Sequence, residues 1–173
     1  MAFSLYDASV ANFLQTLGAV SHFLDKGMKH CQEHNIDPET IVEARLASDM
    51  WPLRNQIVSV AHHSRGALAA AKNGEFVPPK VDPDLNYAGL QALVKSTQDE
   101  LAAMKAGDVN ALEGRDVSFK IGDRALLFTA DMFLMTFSLP NFYFHATTAY
   151  DILRSAGVQI GKRDFMGRMR MKT

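Results

Sequence analysis

The residues best suited to chemistry lie in an aromatic stretch of the sequence, residues 139–150. On a helix, Asn141, His145 and Thr148 fall on one stripe, because they are separated by steps of four and three residues. Neutral imidazole is the commonest protein ligand for metals such as zinc and nickel, and an amide oxygen is a weak ligand or holds a water. The stretch therefore predicts a polar site, centred on His145, on a helix that is otherwise largely apolar.

A second imidazole is expected from another helix. His62 and His63 lie midway along a predicted helix over residues 52–73. Hydrophobic periodicity places His63 at the edge of the apolar face and His62 nearly opposite, so it favours His63 as the partner of His145. Catalytic zinc sites typically use three protein ligands and keep one position open. We expect one divalent ion, zinc or nickel, bound by His145, by His63 or His62, and by Asn141.

The alternative is that His145 is a core histidine. Its ring would then be hydrogen-bonded to a backbone carbonyl or to the hydroxyl of Thr148. Around either kind of site, we expect a pocket that includes Thr148, Tyr143, Trp51 and Arg45. Arg45 at the mouth of such a pocket would clamp an anion, as would Arg163; the competing interpretation of both is surface ion pairing.

Other motifs point away from several classes of enzyme. The sequence contains no glycine-rich phosphate loop, nucleophile elbow or paired-carboxylate motif. His30 and His34 have the spacing of a surface metal clip, and we interpret them as exposed residues near a helix end. Cys31, the only cysteine, falls on an apolar helix face, and this position predicts that it is an inert core residue. A single cysteine excludes an internal disulfide and is typical of a reducing cytoplasm.

Composition predicts an ordinary soluble protein, a single domain over residues 1–173. Hydrophobic residues make up 47% and charged residues 21%, and the net charge is -1. This balance argues against binding to nucleic acid or to an anionic membrane, and the basic cluster in residues 162–172 is too short to change that interpretation. No apolar run approaches the ~20 residues that cross a bilayer, and no signal peptide is recognised.

The apolar periodicity predicts four long helices, over residues 4–34, 52–73, 84–106 and 130–155. A short helix, capped by Asp37, is expected at residues 38–43. In residues 117–128 the hydrophobic pattern no longer has the helical period, and the sequence predicts a small β-hairpin around Gly122 and Asp123, directly before the last helix. Pro140 should kink or restart that helix, and the tail after residue 157 is expected to be irregular coil.

These elements predict an all-α fold, an antiparallel four-helix bundle with one small hairpin. The aromatic face of the last helix would have to be covered, because large apolar patches rarely stay bare. We therefore expect a homodimer.

Four stretches carry a resemblance to a known family: YDASV at residues 6–10, MWPL at 50–53, LPNFYFHATTAY at 139–150 and GKRDF at 161–165. The sequence resembles an uncharacterised bacterial family, one of the domain-of-unknown-function groups in the DinB-like metalloenzyme superfamily. The resemblance covers essentially the whole chain. It implies a DinB-like four-helix bundle, commonly dimeric, with a metal site between the helices.

The resemblance also implies roles for individual residues. Superfamily members join a histidine of the second helix to a His-x3-His pair on the last. His145 matches the second histidine of that pair, and Asn141 stands where the first is expected. The helix-two ligand is His62 or His63: periodicity favours His63, whereas the alignment places His62 where relatives often carry Asp.

Two functions follow from these observations. One is a metal-dependent transferase or hydrolase acting on a small molecule, with the thiol-dependent chemistry that the resemblance implies. The alternative is a non-catalytic small-molecule-binding or dimeric interaction protein with a degenerate metal site.

Overall fold

The structure, a computed structural model, describes residues 3–172. Met1, Ala2 and Thr173 lie outside the described residues, so predictions that include them are compared over the remainder. The chain is mostly helical and contains one small three-stranded sheet. No helix within residues 3–172 is both long and apolar enough to cross a membrane.

The helical elements in chain order are α1 (Leu5–Ala8), α2 (Val10–His34), α3 (Pro38–Val42), α4 (Leu53–Ala61), the π-helical segment π1 (His62–Gly66), α5 (Ala67–Asn73), α6 (Tyr87–Ala102), α7 (Ala106–Asn110), α8 (Ala130–Met132), a second π-helical segment π2 (Phe133–Ser138), α9 (Leu139–Ser155) and α10 (Lys162–Met166). The strands are β1 (Glu75–Phe76), β2 (Asp116–Ile121) and β3 (Arg124–Thr129).

The first predicted helix is divided in two, because the chain turns at the buried Ser9 between α1 and α2. The Ser9 hydroxyl donates to the carbonyl of Leu5 at 2.6 Å, a local bond that competes with regular helical pairing. The break lets α1 contact α7, where the amide side-chain oxygen of Asn110 accepts from the backbone nitrogen of Tyr6 at 2.9 Å. The predicted cap of α3 is confirmed, since Asp37 accepts from the backbone nitrogen of Glu39 at 3.1 Å.

The third long helix is shorter than predicted at both ends. It begins at Tyr87 because Asn86 is its N-cap and accepts from the backbone nitrogen of Gly89 at 2.9 Å. It ends at Ala102, and the separate helix α7 follows.

The second and fourth long helices each contain a π-helical segment, which the sequence analysis did not predict. π1 interrupts the second helix at His62–Gly66, and π2 lies directly before Pro140 in the fourth. Proline has no N–H to donate, so Pro140 fits the first turn of α9, and the expected disturbance takes the form of the wider π turn that precedes it. π1 contains His62 and His63, and π2 ends seven residues before His145.

The predicted hairpin is confirmed, and the sheet has one more strand. β2 pairs antiparallel with β3 around Gly122, which has a positive φ of 54°. β1, for which no strand was predicted, pairs parallel with β2, and Phe76 lies opposite Phe119. Phe76 is buried, so this added strand brings an aromatic side chain under the site histidines.

The prediction of irregular coil after residue 157 was wrong at Lys162–Met166, which form α10. Asp164 closes this turn, because its Oδ2 accepts from the backbone nitrogen of Gly161 at 2.7 Å. α10 packs against α2.

The core lies between the four longest helical segments: α2 contacts α6 and α9, and α4 contacts the same two helices. Phe13 of α2 meets Phe142 of α9 edge-on, with 4.8 Å between ring centroids, and both side chains are fully buried. Burial of each such side chain contributes roughly 1.5–3 kcal/mol to folding. The same packing holds α9 beside α4 and brings His145 opposite π1.

Candidate metal and small-molecule site

His145 is held by a chain of two hydrogen bonds that begins at the backbone. The Nε2 of Gln56 donates to the carbonyl of Trp51 at 2.9 Å, so the amide oxygen of Gln56 faces the other way. That oxygen lies 2.7 Å from Nδ1 of His145. Gln56 and His145 are both buried. Because an amide oxygen only accepts, Nδ1 of His145 carries the proton and Nε2 keeps its lone pair.

The lone pair of His145 is available to a ligand. Nε2 makes no hydrogen bond to the described residues and is not sealed from solvent. Burial lowers the pKa of His145 to about 4, so the ring is neutral at physiological pH. A neutral imidazole whose protonated nitrogen is fixed by a side-chain acceptor is the arrangement found around histidines that ligate metals.

His63 lies against His145, as the periodicity predicted. The two rings stack with 5.7 Å between centroids and 18° between planes. π1 places His63 between Phe76 and Phe137, at centroid distances of 5.4 and 5.5 Å. Burial, with smaller contributions from the neighbouring imidazoles, lowers the pKa of His63 to about 3. Both members of the pair are therefore neutral.

His63 also carries an unsatisfied polar atom. Its Nδ1 is buried and has no hydrogen-bond partner among the described residues. The other such atom is the hydroxyl oxygen of Ser138, at the end of π2 and next to Phe137. Leaving a buried polar atom unpaired costs about 1–3 kcal/mol, and such groups in native structures usually have an ion, a water or a functional role to explain them.

His62 points to a different place. Its Nε2 is 2.7 Å from the carbonyl of Val77, and its ring lies on Phe76 at 4.3 Å between centroids. Burial lowers the pKa of His62, partly offset by the bond to Val77. Of the two histidines, His63 therefore lies against His145, and His62 is hydrogen-bonded to the segment after β1.

The side chain of Asn141 is turned back onto π2, and that of Thr148 onto α9. The Nδ2 of Asn141 donates to the carbonyl of Phe137 at 2.7 Å, and the hydroxyl of Thr148 donates to the carbonyl of Phe144 at 2.8 Å. Neither side chain is hydrogen-bonded to His145, so the alternative in which Thr148 holds that ring is not what the structure shows.

An open cleft of about 200 Å³ lies beside His145. Its lining comes from the loop before α4, from α4 itself and from α9: Asp49, Met50, Trp51, Gln56, Phe144 and His145. The indole of Trp51 lies parallel to the His145 ring, at 6.0 Å between centroids and 11° between planes, and it is 53% exposed. Trp51, His145 and His63 thus form a column of three rings from the surface to the core.

The other three predicted pocket residues, Thr148, Arg45 and Tyr143, do not line this cleft. The guanidinium of Arg45 donates to the carbonyl of Met50 at 3.4 Å and so contacts the loop that lines the cleft. Tyr143 points the other way, near Thr16 and Arg170; burial raises its pKa, while these two neighbours oppose that rise.

The donor set fits two metal ligands and does not supply a third. Two neutral imidazoles, one with a fixed tautomer and one with an unpaired buried nitrogen, suit a divalent transition metal. Within residues 3–172, no group of three or more His, Cys, Asp or Glu side chains is arranged to hold an ion. A metal here would take its remaining ligands from a small molecule, water or an amide.

The sequence analysis missed Gln56, which fixes His145. A signal for it exists: Gln56 precedes His63 by seven residues, two helical turns, and so lies on the same stripe of the second helix. A buried glutamine on the stripe of a candidate ligand is a natural partner for the opposing histidine.

Histidines opposed across packed helices, with a neighbouring open cleft, are features of a helical metal-site or small-molecule-binding protein. The family match is more specific: residues 5–166 match a family described as a domain of unknown function, DUF1993, and the chain belongs to it. The chain is also similar to a crystal structure described as a DinB family member from Shewanella denitrificans. The TM-score is 0.81 and the identity 26%, over 98% of this chain and 95% of that one. No curated protein matches the chain significantly.

Proposed function

We propose that this protein is a metal-dependent transferase or hydrolase acting on a small molecule, with zinc or nickel bound by His63 and His145. The observation that carries the proposal is the bond from Nδ1 of His145 to Gln56, which leaves Nε2 unprotonated beside a second neutral imidazole. The sequence resemblance to DinB-like metalloenzymes, which implies a metal site between the helices, supports the same site, and the likeness to a DinB family member agrees with the fold. When bound, the ion would act as a Lewis acid that makes a water or a thiol more acidic near neutral pH.

The protein's own residues would have separate tasks. Gln56 holds the tautomer and orientation of His145. Trp51 and Phe144, both largely exposed in the cleft, offer apolar surfaces against which a small molecule packs. His63 lies against His145, and the rings of Phe76 and Phe137 beside it limit its contact with water.

A second candidate function is favoured by one observation, the lack of a third strong ligand within residues 3–172. In this case the cleft binds a small molecule without metal, and Nε2 of His145 accepts a hydrogen bond from it. The fold and the pocket would be retained while the metal site has degenerated at Asn141.

Metal titration of the purified, tag-free chain separates the two. For the first function, we expect about one zinc or nickel ion per chain, lost in His145→Ala and in His63→Leu. His62→Ala is the matched control, because His62 bonds to Val77 away from the pair. The double variant His30→Ala/His34→Ala is a second control. It removes two surface histidines whose ring centroids are 4.2 Å apart and which could bind a metal ion without the proposed site. An ion that persists in His145→Ala, or disappears only with His30 and His34, would contradict the proposal.

We further infer that the chain forms one DinB-like domain, an antiparallel four-helix bundle, because each of four long helical segments contacts two others. An experimental structure with neighbouring long helices running parallel would overturn that arrangement. We also propose a homodimer, supported by the exposed rings of Trp51 and Phe144, and a cytoplasmic location, supported by the single buried cysteine. Fractionation of cells that places the protein outside the cytoplasm would contradict the latter.

A further inference from the structure

A larger groove lies on another face, between α2 and the chain that follows α10. Its volume is about 760 Å³, which is within the size range of pockets for small molecules. It shares no lining residue with the cleft at His145. Arg163 and Asp164, two residues of the GKRDF stretch that helped to carry the family resemblance, line this groove and have no part in the proposed chemistry at His145.

The walls of the groove are fixed by close backbone contact. Gly167 has a φ of +59°, and a Cβ there would lie 3.1 Å from the backbone oxygen of Gln15 and 3.3 Å from the Cβ of Ala19. The side chain of Gln15 donates to the carbonyl of Met166 at 3.0 Å. The tail therefore rests directly on α2 at Ala19, and an apolar floor that includes the partly exposed Ala11 and Leu14 remains beside this contact.

The charge along the groove is positive. Arg163, Arg168 and Arg170 all line it, and the first two make no ion pair with the described residues. Arg170 is 3.2 Å from the side-chain oxygen of Asn12 and 3.9 Å from the carboxylate of Asp7.

The carboxylate that lines the groove, Asp164, already has hydrogen-bond and ion-pair partners. Asp164 accepts from the backbone nitrogen of Gly161, and its other oxygen lies 3.0 Å from both Lys26 and His22. The bond to Gly161 and the Lys26 ammonium lower its pKa to about 2. The exposed arginines thus have no free carboxylate in the groove to neutralise them.

We propose that this groove binds a free anionic amphiphile, a small molecule with an aliphatic body and a carboxylate or phosphate end. The aliphatic part would lie on the floor at Ala11 and Leu14. The anionic end would be bound by Arg163 and Arg168, whose guanidinium groups match carboxylate and phosphate geometry.

The test uses the full chain with decanoate as the probe and decyltrimethylammonium as its cationic counterpart. Amide resonances of Gly18 and Gly167 should shift on saturable binding of decanoate, with a dissociation constant below about 1 mM, while the amide of His145 stays in place. Arg163→Ala/Arg168→Ala should weaken decanoate binding by about tenfold or more. The control Arg115→Ala/Arg124→Ala, which removes two exposed arginines outside the groove, should not.

Several results would overturn the proposal. Equal binding of the cation would mean a purely apolar surface, and equal loss in the control variant would mean a general charge effect. Binding to phosphatidylserine vesicles without a response to free decanoate would assign the groove to a membrane surface. If the amide resonances of Gly18 and Gly167 shift only when a dimer dissociates, and not with decanoate, the groove is the contact surface for a second copy of the chain. Metal titration at His145 is independent of all these outcomes.

Discussion

The amide oxygen of Gln56 lies 2.7 Å from Nδ1 of His145, and the amide nitrogen of the same glutamine is bound to the backbone at Trp51. One side chain of α4 therefore sets the tautomer of the histidine while it is itself held by the loop that precedes α4. This relationship makes the reactivity of His145 dependent on a second side chain, which fixes its tautomer and orientation.

Gln56→Glu should raise the pKa of His145 above its value of about 4. A carboxylate at the same distance from Nδ1 favours the protonated ring, whereas the amide does not. The pKa is measured from the His145 Cε1 proton in an NMR titration. Gln91→Glu is the control, because Gln91 is an exposed residue bonded to Asp25. An unchanged His145 titration in Gln56→Glu would show that the bond is absent in solution.

Stability should fall as the pH decreases through the range below 6.5. The folded state keeps His145 neutral down to about pH 4, while the unfolded chain takes up a proton near pH 6.5. Because the unfolded state binds more protons in this window, the free energy of unfolding falls by roughly 3 kcal/mol between the two values for His145 alone. His63, with a folded pKa of about 3, acts in the same direction.

Urea unfolding at a series of pH values checks this dependence. His145→Gln should flatten the curve, since glutamine does not titrate. His34→Gln, at an exposed position, should leave it unchanged. A curve that is equally steep in His145→Gln would mean that other groups cause the acid sensitivity.

The sequence predicted the His63–His145 pair because periodicity reports which face of a helix is buried, and both residues lie on or beside such a face. It did not predict π1 or π2, since a π turn depends on how a helix packs rather than on a local residue pattern. Nor could it show that Asn141 bonds to the carbonyl of Phe137, because amide side chains choose between local and distant partners.

The fold was predicted in the same uneven way. The hairpin around Gly122 followed from local turn chemistry. β1 is only two residues long and pairs with β2 from a distant part of the chain, so it has no local signal. α10 depends on Asp164, whose role as a reciprocal cap is hidden in a stretch rich in charge.

Phe144→Glu should weaken the proposed homodimer. The ring of Phe144 is 58% exposed on α9, and a charge there would lose its water in an apolar interface. Light scattering at micromolar concentration measures the mass of each variant. Leu127→Glu on β3 is the control, because Leu127 is 81% exposed in another part of the fold. A monomeric wild type would contradict the dimer, and a monomer only in Leu127→Glu would place the interface at the hairpin.

Gly27→Ala and Gly18→Ala should change stability in opposite directions, although both glycines lie within α2. A Cβ at Gly27 would collide with the hydroxyl of Tyr87 and lie 2.9 Å from Cδ2 of Leu153. Tyr87 cannot move aside easily, since it is buried and its hydroxyl donates to the carbonyl of Leu24 at 2.8 Å. We expect Gly27→Ala to destabilise the fold by about 1–3 kcal/mol, as for other overpacked cores.

A Cβ at Gly18 has room, because its nearest neighbour is the side chain of Gln98 at 3.8 Å. Alanine restricts the unfolded chain and favours the helix, so Gly18→Ala should stabilise by about 0.5–1 kcal/mol. Urea unfolding of the two variants beside the wild type measures both changes. If Gly27→Ala were as stable as Gly18→Ala, the close packing of α2 against Tyr87 of α6 would have to be wrong, and with it the register that places α2 against α9.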